Sequence, residues 1–148
     1  MTAKADFTDE EWELVLEGPP AAGLIVSTAQ RGGSFREAFS IAKAYTEARR
    51  ERGASELLDE IVSAKPEMDR SRFSSFEELK QHGLGKVREA VALLEQKATP
   101  DEVSDYKGFV LAVAERVAEA KTEEGEQPAT ESERAAIDEI ATALGRTA

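Results

Sequence analysis

Cysteine is absent from all 148 residues. That excludes a disulfide framework, thiol catalysis and zinc sites built on thiolates. Histidine occurs once, at His82, so a histidine-based metal cluster is excluded too. No Ser or Asp partner for it can be assigned from the sequence. The most apolar segment, Ala21 to Val26, is far shorter than the roughly 20 residues a membrane helix needs. The first residues, Met-Thr-Ala-Lys-Ala-Asp-Phe-Thr, have no apolar stretch behind the lysine and do not read as a secretory signal. A basic excess is also missing: 19 Lys and Arg face 30 Asp and Glu, a net charge of −11. Such a surface is repelled by phosphate backbones and anionic lipid, so nucleic-acid and membrane binding are disfavoured. A cytoplasmic location is expected.

Aromatic residues make up 6% of the chain, against 41% for all hydrophobic types. Ala, Leu, Val and Ile must therefore supply most of the core, which suits closely packed helices. The length fits one domain, residues 1–148.

Helix starts are well marked. Thr8-Asp9-Glu10-Glu11 has the form of a capping box, and the pattern recurs at Ser34…Glu37, Ser75…Glu78, Thr99…Glu102 and Thr130…Glu133. Thr99-Pro100 adds a proline at the first helical position. The spacing predicts a first helix over 9–17, stopped by Gly18-Pro19-Pro20. A short, centrally buried second helix follows over 20–30, with a strand as the minor alternative. A third runs over 35–52, its basic Arg49-Arg50-Glu51-Arg52 end complementing the helix dipole. A fourth carries Leu57, Leu58, Ile61 and Val62. A short helix over 76–81 leads to a turn at His82-Gly83-Leu84-Gly85, and a fifth main helix covers 86–97. The sixth, over 101–123, is the expected spine, with Val103, Tyr106, Val110, Val113, Val117 and Ala120 as its seam. The last, over 131–144, turns Ala135, Ala136, Ile137, Ile140, Ala143 and Leu144 inward and ends at Gly145. The fold class is thus all-α, a single-domain bundle of about seven helices.

No motif assembles a reactive group. His82 reads as a capping or solvent-exposed residue. Gly83-Leu84-Gly85-Lys86 lacks both the earlier glycine and the following Ser or Thr of a phosphate loop. Trp12 reads as a core or lid aromatic rather than a ligand platform, and the hydroxyls of Tyr45 and Tyr106 are expected at the core edge. The acidic turn around Gly125 is the one cluster with chemical potential. Glu124, Glu126 and Glu133, with Glu37 from another turn, are candidate ligands for Ca²⁺ or Mg²⁺, hard cations that prefer carboxylate oxygens. The ordered calcium-loop pattern is absent, and a solvated charge run is the default. Glu37, between Phe35 and Phe39, is also the nearest candidate for a carboxylate acid or base.

Two segments share a shape: a helix, a glycine-containing turn, a capping box and a second helix. One holds Gly32-Gly33, Ser34, Glu37 and Ile41; the other holds Gly125, Thr130, Glu133 and Ile137. They form two pseudo-repeated hairpins. In these hairpins the chain resembles the TerB-like helical proteins, a group named for tellurite resistance. The resemblance covers less than half of the chain. It implies a compact bundle of about seven helices, a stress-response setting and a cation at the acidic turns. The first turn departs from the family pattern, with Arg31-Gly32-Gly33 where Asp-Gly would stand, and Arg31 would oppose a cation. In the second, Glu124 replaces Asp and extra residues precede Thr130. The leading functional expectation is a non-enzymatic interaction or scaffold module with protein partners and no cofactor. Divalent-cation binding and a carboxylate-dependent enzyme are the alternatives. Oligomeric state is not legible.

Overall fold

Among the described residues, four long helices enclose an apolar core, to which Tyr45, Leu57 and Ile61 also contribute. The computed structural model describes residues 4–29, 75–123 and 131–145, with 43, 45–47, 57, 60 and 61 between them. A 3₁₀ turn, Lys4–Asp6, precedes α1, Asp9–Ala29. Then come α2, Phe76–Lys97, α3, Pro100–Glu123, and α4, Glu131–Ala143. The isolated described residues between α1 and α2 are helical as well, and no strand occurs among the described residues. No helix among them is long and apolar enough to cross a membrane.

The capping signals place the helix starts. Thr8 and Glu11 form the reciprocal box: Thr8 N–H donates to Glu11 Oε1 at 2.8 Å and Glu11 N–H to Thr8 Oγ1 at 3.1 Å. Ser75 Oγ accepts the Glu78 N–H at 3.1 Å at the head of α2. The far end of α4 closes on Gly145, whose φ of +79° is the left-handed conformation that glycine adopts without penalty. The boxes expected at Ser34…Glu37 and Thr130…Glu133 fall on or reach residues outside the described set.

Two expected breaks do not exist. Gly18-Pro19-Pro20 does not stop the first helix; both prolines lie inside α1, so the segments 9–17 and 20–30 are one helix. A proline in a helix interior removes an N–H donor and pushes its ring against the carbonyl four residues back, at a cost of about 3 kcal/mol or more. Here the carbonyl left without its helical donor by Pro19 is that of Val15. Tyr106 of α3 donates its hydroxyl to Val15 O at 2.7 Å, fully buried. The phenol thus stands in for the missing proline N–H. Gly18 makes room for it: a Cβ on Gly18 would lie 2.1 Å from Tyr106 Oη. One tertiary hydrogen bond thus replaces the donor that Pro19 removes.

The second absent break is at 82–85. Phe76–Lys97 is a single helix, so the short helix, the turn and the separate helix over 86–97 merge. Gly83 is buried against α1, where a Cβ would meet Ile25 Cδ1 at 2.8 Å and Ala21 Cβ at 3.6 Å. The glycine is a close-approach residue in a helix interface, and packing outweighs its roughly 1 kcal/mol of helix propensity.

The hub of the bundle is α1, which packs against α2, α3 and α4, most extensively against α2 and α3. Val15, Ala22, Ile25 and Val26 are sealed within it, as the all-round apolar segment over 20–30 predicts. The longest helix, α3, was the expected spine, and its Val103, Tyr106, Val110, Val113 and Val117 are indeed buried. It packs mainly against α1, however. On α4, Ala136, Ile140 and Leu144 are buried as expected, whereas Ala135 is exposed. Tyr45 and Tyr106 do not sit at the core edge; they are 2% and 0% exposed. Tyr45 meets Phe109 edge-on at 4.9 Å, and Arg116 of α3 pairs with Glu47 nearby. Lys80 ties α2 to α4, lying 3.4 Å from Glu139 and 3.4 Å from Glu77. Desolvation lowers its ammonium, but Glu139 and then Glu77 outweigh this and hold it above its usual value.

Tyr106→Phe is expected to lower stability in urea unfolding by about 1–3 kcal/mol, because Val15 O is left buried without a donor. Gly18→Ala is expected to destabilise through the clash, and the double variant should be less destabilised than the sum of the two. Burial, with smaller contributions from Tyr45 and Glu17, pushes the Tyr106 phenol well above its usual value. The folded state therefore keeps its proton after the unfolded chain has lost it. Stability should fall as pH rises past about 10, by up to about 1.4 kcal/mol per unit. An alkaline titration read at the phenolate absorbance should show this slope in the native chain and a shallower one in Tyr106→Phe.

Candidate functional site

The corner between α2 and α3 is built from two caps back to back. Ala98, in extended conformation, ends α2 by donating its N–H to Leu94 O at 2.7 Å. Thr99 then opens α3: its N–H donates to Glu102 Oε1 at 2.9 Å, and Glu102 N–H donates to Thr99 Oγ1 at 3.2 Å. Pro100 takes the first helical position, where its missing N–H costs nothing. Glu102 is only 5% exposed, the one buried charged side chain among the described residues. Its carboxylate is turned back onto the cap, so the capping box accounts for its burial.

This corner frames a groove of about 470 Å³ lined by Glu95, Ala98, Pro100, Val103, Ser104 and Lys107. The four α3 positions follow i, i+3, i+4, i+7, a single stripe on one face. At 1.5 Å per residue the stripe runs about 10 Å from Pro100 to Lys107. Its floor is apolar, from Ala98, Pro100 and Val103, with the Ser104 hydroxyl beside them. Charge of each sign flanks it: Glu95 comes from the last turn of α2, Lys107 from two turns into α3. Neither makes a hydrogen bond or ion pair with a described residue. Lys107 Nζ also lies 3.7 Å from where a Cβ on Gly145 would stand, beside the C-terminal end of α4, where a cation is favoured by the helix dipole.

The residues singled out in the sequence fall elsewhere. Glu37, Glu124 and Glu126 lie outside the described residues, and Glu133 is placed only by its backbone, in the first turn of α4. Among the described residues no three acidic or histidine side chains gather into a metal-holding group. His82 is neither a cap nor a turn residue: it sits mid-helix in α2, half-buried. Gly83-Leu84-Gly85-Lys86 is helical throughout, so no loop is present there to cradle a phosphate. Trp12 is in the core at 7% exposure, as expected. The groove escaped the sequence reading because Pro100, Val103, Ser104 and Lys107 have no common chemistry. The available signal was the tight Ala98-Thr99-Pro100 connection, beside which the groove lies.

No family model matches the chain, and no curated protein or solved structure matches it either.

Thr99→Ala removes the acceptor of the Glu102 N–H and loosens the corner that shapes the groove. Thermal or urea unfolding should report a loss of about 1 kcal/mol, with Thr99→Ser close to the native chain.

Proposed function

We propose that the protein is a non-enzymatic interaction module of the cytoplasm and that its docking place is the groove between α2 and α3. The observation that carries this reading is a groove where the apolar Ala98, Pro100 and Val103 lie with a carboxylate, Glu95, and an ammonium, Lys107, neither of which bonds to another described residue. Among the described residues no carboxylate pairs with Lys107, so an incoming anion meets no described competitor there. The groove length of about 10 Å accommodates about three extended residues at 3.3 Å each. The partner is accordingly a short extended protein segment with small apolar residues between a cation and an anion. The cation would meet Glu95 and the anion Lys107. Complementary charge sets partner choice and orientation more than raw affinity, so weak, reversible docking is the expected regime. A scaffold of this kind agrees with the resemblance to TerB-like stress-response bundles.

The probe is a capped Arg-Val-Ala-Asp peptide titrated into the isotopically labelled protein. Amide shift changes should cluster at residues 95–107, with a Kd of about 1 mM, equivalent to about 4 kcal/mol. Lys107→Glu should abolish them, and peptides carrying only one sign of charge should bind several-fold more weakly. Shifts scattered over the surface, or unaltered by Lys107→Glu, would remove the groove from consideration. Turnover of any substrate by the pure protein would overturn the non-enzymatic reading.

A further inference from the structure

One amine serves two parts of the bundle. Lys107 lines the α2–α3 groove, and its Nζ lies 3.7 Å from where a Cβ on Gly145 would stand, at the C-terminal end of α4. Two backbone bonds close that end: Leu144 N–H donates to Ile140 O and Gly145 N–H to Thr142 O, both at 2.9 Å. Ile140 and Leu144 are sealed in the core, while Gly145 is exposed. Carbonyls beyond the last helical bonds leave a helix end with about half a negative charge, which a nearby cation offsets. The last turn of α4 contains no basic residue of its own. Lys107, from α3, brings an ammonium to it.

We propose that the Lys107 ammonium is shared by the groove and α4, so that an anion docked in the groove loosens the last turn of α4. The coupling rests on the groove being the docking place, and it gives that docking a response in a third helix. Its sign follows from charge. With the groove empty, the ammonium faces the negative end of α4. A docked carboxylate pairs with the same ammonium and brings negative charge beside that end, where an anion is unfavourable. Either effect alone weakens the turn, and neither requires α2 or α3 to move. The size is limited by solvent. Pro100 and Ser104 are exposed and Lys107 is half-buried, so water and salt reach the groove and screen the charges. A cation at an accessible helix end shifts its opening roughly two- to fivefold, and the coupling cannot exceed that factor. Thr142 is exposed in the last turn of α4, a position from which the helix could be given a cation of its own.

Amide hydrogen exchange, read residue by residue on the full chain, tests this with the capped Arg-Val-Ala-Asp peptide as probe. Peptide at about 10 mM, above the expected Kd, should speed exchange of the Leu144 and Gly145 amides roughly two- to fivefold. The amide of Val110, buried in α3, should not change. Lys107→Met keeps the apolar stem and removes the charge; without peptide it should speed the same two amides by a similar factor. Adding Thr142→Lys to Lys107→Met should slow them again. Native-like exchange of Leu144 and Gly145 in Lys107→Met overturns the role of Lys107 at α4. Peptide shifts at residues 95–107 with no change in exchange at 144 and 145 overturn the coupling and leave the groove standing as a docking place. Absence of peptide shifts at 95–107 removes the groove, and the coupling with it. A rise at Val110 in step with Leu144 would show that the whole bundle opens and would overturn a response local to α4.

Discussion

The hydrogen bond from the Tyr106 hydroxyl to the Val15 carbonyl is the constraint around which the described structure is arranged. It supplies the donor that Pro19 denies the Val15 carbonyl inside α1, and α1 is the helix that packs most extensively against its neighbours. The bond makes demands in both directions. Gly18 must lack a side chain so that the phenol can approach. The phenol must remain protonated to donate, and its burial ensures that. A polar atom deep in an apolar core is usually a liability; here it repairs a backbone defect that the same chain introduces.

The remaining helix ends follow local rules. Thr8 with Glu11 and Thr99 with Glu102 satisfy orphan backbone donors through reciprocal boxes. Both boxes then acquire a second use. Glu11 also receives Lys97 and so joins α1 to α2, while the Thr99 box shapes the corner that opens into the groove. Lys97 depresses the Glu11 carboxyl first, through its hydrogen bond, with the Thr8 backbone adding to it.

What could be read from the sequence divides along the same line. Boundaries set by neighbouring residues were legible: the caps at Thr8, Ser75 and Thr99, the extent of α3, and the left-handed glycine at 145. So were the periodic core positions, such as Val110, Val113 and Val117 on α3 and Ile140 on α4. Boundaries set by partners distant in the chain were not. Gly18-Pro19-Pro20 and Gly83 carry strong local breaking tendencies, and only the approach of Tyr106 or Ile25 reveals that they sit within helices. The groove was hidden for a related reason. Glu95 and Lys107 belong to different helices, and their opposition across an apolar floor is a product of the corner angle, which no spacing rule encodes. Alternating charge along a helix reads as solvated surface until a neighbouring element makes it concave.

The tyrosine that completes α1 lies 91 residues beyond the carbonyl it satisfies. During synthesis at about 5–20 residues per second, that interval is about 5–18 s. Throughout it, the turn at Pro19 has its carbonyl and its small glycine notch but no donor to fill them. The middle of α1 is made early, yet its Val15 carbonyl waits for a donor made 91 residues later.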